Sequence, residues 1–401
     1  MSDTRKTTKP NVPNLRFPGF SDEWESRKIG EDCAVYMCKR IFANQTSDQG
    51  DVPFFKIGTI GGPPDAYISR DLFEEYKAKY NYPCKGEVMI TCAGTVGKTI
   101  VFDGEDAYFQ DSNIVWLSNP KQLYINPFLN FVLSRVNWNK LNSTTITRIY
   151  NDNLRELVIK YPSVKEQEKI VALLSLLDQR IVIQNKVIED FKRLKRAINN
   201  QFHDSITCGI KTCFADLGES YSGLSGKVAS DFGEGYPFIP YTNVFSNTVI
   251  DENDYGLVNV SKDEHQNTVE HGDLIITLSS ETPEEVGVGA VYMGQDKEIY
   301  LNSFCFGIHF HSLERVIPKY LAYMVESNMF RRFVYPLAQG STRYNLQKSG
   351  FEKKLFTLPT LAEQRQIVAV LDSISSKIDL EKSILQNIAI IKASLIQGLF
   401  I

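Results

Sequence analysis

The sequence predicts an α+β fold built twice: two similar globules, each followed by one long helix, with the two helices packed on each other. Three observations predict it. First, a stretch opening Pro162-Ser163-Val164-Lys165-Glu166-Gln167 returns 197 positions later as Pro359-Thr360-Leu361-Ala362-Glu363-Gln364, and Ile170-Val171 returns as Ile367-Val368. Second, an apolar stripe at 3/4 spacing runs on from each opening. Third, the chain ahead of each opening mixes short β-rich runs with turn signals.

In chain order, residues 1–13 are polar and proline-containing and read as a flexible tail. Residues 14–161 make the first globule. Its expected strands are Phe54 to Ile57, Val88 to Thr91, Thr99 to Phe102 and Asn113 to Leu117. Gly61-Gly62-Pro63-Pro64, Gly94, Gly97 and Asp103-Gly104 separate them, and Leu72 to Tyr80 and Pro127 to Leu141 read as helices. Residues 162–206 are the first long helix, residues 207–358 the second globule and residues 359–401 the second long helix. The second globule repeats parts of the first. Gly272 to Thr277 resembles Gly86 to Thr91, and Tyr236 to Tyr241 resembles Val52 to Ile57. With a small gap, Arg343-Tyr344-Asn345-Leu346 stands before its helix as Arg148-Ile149-Tyr150-Asn151 stands before the other. The middle of each globule diverges.

Each long helix opens behind a proline with the pattern of a capping box, Ser163 with Glu166 and Thr360 with Glu363. The seam of the first reads Ile170, Leu174, Leu177, Ile181, Gln184, Ile188, Phe191, Leu194, Ile198, Phe202. That of the second reads Ile367, Leu371, Ile374, Ile378, Glu381, Leu385, Ile388, Ile391, Leu395, Leu399. The polar residue falls at the same place in both, Gln184 and Glu381. At about 40 residues each helix is roughly 60 Å long, well beyond ordinary globular helices. Two such seams in one chain read as an intramolecular coiled coil, with the polar pair able to fix its register.

A chain of 401 residues holds two or three domains. It has no apolar run of about 18 residues to span a membrane, and Met1 to Lys6 has no apolar core behind it, which points to the cytoplasm. Seven cysteines, an odd number with no CxxC spacing, read as reduced structural thiols, and the five histidines form no ligand set, so no metal is expected. A net charge of −4 argues against a lone nucleic-acid binder held by bulk electrostatics, while leaving room for local basic faces.

Catalytic constellations are weak. Gly94-Thr95-Val96-Gly97-Lys98-Thr99 tempts toward a phosphate loop, but Cys92 stands where a glycine is needed and a strand follows the lysine. The glycines could instead let backbone approach a ligand while Lys98 and Thr95 meet a DNA phosphate. Asp65 with Glu75 and Lys77 matches a nuclease spacing, yet the latter two sit on a helix-like, charge-dense stretch, on different faces. Gly287-Val288-Gly289 is too short for a methyl-donor loop. Recognition chemistry remains. Thr144 to Asn151 holds Arg148, Tyr150 and Asn151. Gln339 to Asn345 holds Ser341, Thr342, Arg343, Tyr344 and Asn345. Arg and Asn read base edges and Ser and Thr suit phosphates. A hinge loop whose arginine pairs with a carboxylate is the competing reading. Lys39-Arg40 and Arg331-Arg332 read as solvated faces.

The duplicated Pro-x-x-x-Glu-Gln-x-x-Ile opening of a long helix, behind a diverged α+β globule, resembles the specificity subunit of a type I restriction–modification system. The resemblance runs from Leu15 to Ile401 and is most specific over 162–181 and 359–378. It implies two target recognition domains separated by two long helices packed as an antiparallel coiled coil, a pseudo-two-fold internal repeat. It implies a non-catalytic subunit that reads a bipartite asymmetric double-stranded DNA site, with the helices as ruler and docking surface. Two methyltransferase subunits using S-adenosylmethionine would modify adenine, and restriction subunits would bring ATP and Mg; this chain itself needs no cofactor. A helix of roughly 60 Å covers a little under two DNA turns at roughly 34 Å each. A free-standing NTPase or nuclease, or a coiled-coil scaffold for proteins alone, are the alternatives.

Overall fold

The computed structural model describes residues 11–138, 148–296 and 298–401. The chain falls into two compact units, Met1–Ile183 with Leu385–Ile401, and Gln184–Ile384. Each unit therefore takes a part of both long helices.

The first unit runs β1 (Glu25–Lys28), α1 (Ile29–Asp32), β2 (Ala34–Tyr36), β3 (Val52–Phe55), β4 (Tyr67–Ile68), α2 (Arg70–Lys79), β5 (Val88–Thr91), β6 (Thr99–Val101), β7 (Tyr108–Phe109), β8 (Ile114–Ser118), α3 (Asn126–Ser134), α4 (Asn151–Glu156) and β9 (Val158–Tyr161), then enters α5 (Val164–Ser205). Its main sheet is antiparallel in the order β2-β8-β5-β6. β5 is buried along its whole length because its two faces meet two cores. Val88 and Ile90 pack with Phe128 and Leu129 of α3 and with Ile170 and Leu174 of α5. Met89 faces the other way, toward Phe73 of α2 and Phe54 of β3. β3 in turn pairs with β7 in parallel, Phe54 opposite Tyr108.

The second unit repeats the plan. It runs β10 (Ile210–Thr212), α6 (Phe214–Leu217), β11 (Gly218–Ser222), β12 (Phe232–Ile239), α7 (Tyr241–Ser246), β13 (Gly256–Val258), β14 (Leu274–Thr277), β15 (Ser279–Ser280), β16 (Gly289–Val291), β17 (Tyr300–Leu301), β18 (Cys305–Phe310), α8 (Pro318–Glu326), α9 (Asn328–Val334), β19 (Ala338–Gln339), β20 (Tyr344–Leu346), α10 (Lys348–Glu352) and β21 (Phe356–Leu358), before α11 (Leu361–Leu399). Its sheet β11-β18-β14-β16 matches β2-β8-β5-β6, and the parallel pair β12–β17 matches β3–β7. β14 splits its residues as β5 does: Leu274 and Ile276 face the helices, Ile275 the opposite core.

The helices pair antiparallel within each unit. In the first, the start of α5 shares a core with the end of α11, Ile170 and Leu174 with Leu399, and Lys392 bridges to Asp178. In the second, Ile198 and Phe202 near the end of α5 pack beside Ile367 and Leu371 at the start of α11. There Gln184 donates from Nε2 to the carbonyl of Glu381 at 3.1 Å and also to its carboxylate, while Lys377 lies 2.6 Å from the same carboxyl group. Ile188 and Ile378 are buried, and Leu177, Ile181, Phe191, Ile374, Leu385 and Ile388 are half-buried.

The repeat keeps its glutamines for a visible reason. Gln167 is fully buried; its Oε1 accepts from the Ile125 amide, and its Nε2 donates to the carbonyls of Leu123 and Pro162. Gln364 does the same with Ile317, Arg315 and Pro359. Each side chain supplies hydrogen bonds that buried backbone cannot otherwise make.

Several expectations are corrected. The seam places Leu194 and Ile391 inside, but they are 45% and 51% exposed. The next residues turn inward instead. Lys195 lies 4.9 Å from the Tyr323 ring and Lys392 5.8 Å from the Phe131 ring. A 3.6-residue helix drifts off a 3.5 repeat, and a lysine stem can lie on apolar surface with its head on a ring. The capping box forms at Thr360 and Glu363, whereas Glu166 is drawn away by Arg16, which holds it with two bonds of 2.8 Å. The loose tail does not reach residue 13: Pro13 is buried, and the Trp24 amide donates to the Asn11 carbonyl at 2.7 Å. β3 stops at Phe55 because residues 56–60 turn back on the Lys56 carbonyl. α3 stops at Ser134, tightening to i→i−3 bonds at Arg135 and Val136.

Candidate nucleic-acid interface

In the first unit four loops meet beyond the C-terminal end of β5. The strand end itself organises them. The Cys92 amide donates to Asn113 in the loop before β8 at 2.7 Å, and the Cys92 carbonyl accepts from Ile149 at 2.9 Å. Thr91 Oγ1 accepts from the Lys98 amide at 3.0 Å and donates to the Thr95 carbonyl, which closes the 94–98 turn. Gly94 and Gly97 hold positive φ there. A Cβ on Gly97 would lie 2.1 Å from the Trp138 ring, so the turn tolerates no side chain at that position. The 56–62 loop closes the group: the Ile57 amide donates to Gln110 Oε1, and Lys98 Nζ donates to the Ile60 carbonyl.

The second unit builds the same arrangement with different residues. The Leu278 amide donates to Phe304 at 2.7 Å, and Leu346 donates to the Leu278 carbonyl at 2.8 Å. Thr277 Oγ1 accepts from the Val288 amide at 3.0 Å, as Thr91 does from Lys98. Between Thr277 and Val288 the chain inserts β15, which pairs with β20 of the β19–β20 hairpin. Gly340 sits in this hairpin at φ 149, where a Cβ would lie 1.9 Å from the Arg343 carbonyl oxygen.

These contacts locate each predicted residue. Thr95 and Lys98 are exposed on the first unit's turn, with the Lys98 ammonium hydrogen-bonded to the Ile60 carbonyl; its counterpart, Val288, carries no charge. Arg148 donates to the Ser112 carbonyl at 3.4 Å and lies 5.9 Å from the ring of Tyr150, which is 60% exposed. Asn151 begins α4. Thr144 to Thr147 lie outside the described residues. Ser341, Thr342 and Arg343 are exposed at the hairpin tip, and Tyr344 and Asn345 lie on β20. The Arg343 guanidinium stacks 4.4 Å above Phe304, itself 42% exposed.

The matching of Arg148 to Arg343 is overturned. Ile149 and Leu346 are both buried and make the same bond to the strand end, so the register is again 197 and Arg148 corresponds to Asn345. Even so, both guanidiniums reach the equivalent loop, one at Ser112 and the other at Phe304. Backbone bonding sets the register; the two arginine side chains arrive by different routes.

Sequence reasoning missed Gln110 and Phe304. A phenylalanine exposed in a turn just before a strand was the available signal for the last. It also misjudged one basic residue. Arg331 is no solvated residue: its guanidinium donates to the carbonyls of Glu284, Val286 and Gly287, and burial lowers its pKa from the usual arginine value. Arg40 is paired with Asp111 at 2.7 Å.

The enzymatic patterns are not assembled. Asp65 pairs with Lys56, Glu75 with Lys79 and Lys77 with Asp106, three separate partners. The 94–98 turn runs into β6 and not into a helix. Among the described residues no group of three or more His, Cys, Asp or Glu could hold a metal ion, and no helix is long and apolar enough to cross a membrane.

Comparison with known proteins agrees with this duplicated plan. The family profile described as type I restriction modification DNA specificity domain matches twice, over residues 21–193 and 220–389. A Haemophilus influenzae type I restriction enzyme specificity subunit is 49% identical over 162 residues; the match covers 40% of this chain and spans 41% of that relative. A Methanocaldococcus jannaschii counterpart, the MjaX specificity subunit, is 21% identical over 424 residues, covering 93% of this chain and 91% of its own. Among solved structures, the type I restriction–modification S subunit from M. genitalium superposes with a TM-score of 0.54 at 16% identity, covering 97% of this chain and 99% of that one. This last likeness is one of fold.

Proposed function

We propose, on the premise that this chain belongs to the type I restriction–modification DNA specificity family, that it is a non-catalytic subunit reading a bipartite, asymmetric DNA site. Each unit reads one half-site. Methyltransferase subunits, two per chain, modify adenine with S-adenosylmethionine, and restriction subunits supply ATP- and Mg-dependent cleavage. The helix pair spaces the half-sites.

One observation carries this reading. Three loops converge at the equivalent place in both units, held by the same backbone bonds, while their exposed residues differ. A shared frame with divergent tips suits two readers of two different sequences. The chemistry at the tips also suits DNA: Arg148 and Tyr150 in one unit, Arg343 and Asn345 with Ser341 and Thr342 in the other. Arginine and asparagine discriminate base edges, and hydroxyls and backbone amides position phosphates. The net charge of −4 is compatible with a complex whose other subunits share the phosphate contacts.

The test is DNA binding by the reconstituted methyltransferase complex. Arg148→Ala should relax base preference in one half-site only, and Arg343→Ala in the other. Equal loss in both halves, or none in either, contradicts the assignment.

A further inference from the structure

Each unit carries an apolar cavity at the same place in the repeat. In the first unit Val132, Val136, Val158, Ile159 and Phe400 line about 250 Å³. In the second, Met329, Phe333, Leu355 and Phe356, each 197 positions after its counterpart, line about 290 Å³, with His203 in the place of Phe400. The walls reach the surface: Val158 is 55% exposed and Leu355 62%. Exposed apolar side chains at matched positions in two diverged units call for a common cause.

Charge and hydrogen bonding narrow the occupant. Arg135 and Lys160 line the first cavity, Lys211 and Lys354 the second, and among the described residues no Asp or Glu lines either. Behind the walls of each cavity lie buried polar atoms without a hydrogen-bond partner among the described residues. In the first it is Trp24 Nε1, a donor. In the second they are the Tyr320 hydroxyl and His203 Nε2. His203 Nδ1 faces the Asn199 carbonyl at 2.9 Å, an acceptor, so Nδ1 carries the hydrogen and Nε2 is left as an acceptor. The identities differ between the units, as with Phe400 against His203. Volume, apolar walls and positive rim persist. A small-molecule site needs fixed polar groups, whereas an anchor pocket at a protein interface needs shape, apolar surface and complementary charge.

We infer that the two cavities are a matched pair of anchor pockets, each taking an apolar side chain set beside a carboxylate on one copy of a protein that binds twice. The inference rests on the reading of two methyltransferase subunits as partners and gives each its attachment point. The rim lysines and Arg135 meet the carboxylate.

The experiment is native mass spectrometry of the full chain copurified with its methyltransferase subunit. Val158→Glu and Leu355→Glu alter exposed wall positions and should leave thermal unfolding unchanged. Each single variant should reduce two bound subunits to one, and the double variant to none, with affinity at each altered site falling at least about tenfold. Should either glutamate variant unfold, Lys160→Ala and Lys354→Ala serve instead, and should lower affinity with a shallower salt dependence. A double variant that keeps two subunits at unchanged affinity overturns the pockets while leaving the DNA-reading proposal intact. A wild-type chain that binds no methyltransferase subunit overturns both.

Discussion

Gln364 makes three bonds to backbone groups of the loop it holds, from Arg315, Ile317 and Pro359. Gln364→Ala leaves them unpaired in a buried place, and the second unit should lose about 2–4 kcal/mol of unfolding free energy, read by urea denaturation. Arg343 acts at the same scale but on ligand. Its removal should cost about 1–3 kcal/mol of discrimination at one base position if it reads a guanine edge, measured by binding to single-base variants of the site. Asp273 offers a pH signature. It is buried, accepting from Tyr221, from the Glu270 amide and from His309 Nδ1 at 2.8 Å. Burial outweighs those bonds and raises its pKa. A carboxyl group raised on folding adds stability below its unfolded pKa, about 3.9, and that contribution is lost as pH rises through the folded value. Relative to Asp273→Asn, the wild type should therefore lose stability as pH rises through this window in urea melts. A flat difference contradicts this account.

At the scale of elements, the long helices were legible from the sequence because their period and their duplicated opening report directly on burial. The two places where the stripe fails, Leu194 and Ile391, fail together, as a drift common to both copies predicts. The loops were less legible. Their register is set by amide and carbonyl groups of Cys92 and Leu278, which no side-chain pattern reveals, so an alignment of the two arginines went astray. Phe304 escaped notice for a related reason: its ring matters through Arg343 above it, a contact made across sequence. The buried Gln184–Glu381 pair belongs to this scale too. Replacing both by Leu should raise stability by about 1–4 kcal/mol, since a buried polar pair gives way to apolar packing. It should also loosen the helix register, read as a methylated motif with more than one spacer length. A single spacer length in the double variant contradicts a register role.

At the scale of the molecule, one frame is built twice and lettered differently at its tips. The same strand order, the same parallel pair and the same buried glutamine recur, while the exposed loops share almost no side chains. Modularity follows. Exchanging residues 14–160 for the corresponding globule of another specificity subunit should change one half of the recognised sequence and leave the other half and the spacer alone. Methylome sequencing of cells carrying the native chain, the exchanged chain or no chain tests this most directly. The account predicts an adenine-methylated two-part motif that vanishes without the chain and, on exchange, changes in one half only. A contiguous motif, or a change in both halves, contradicts it.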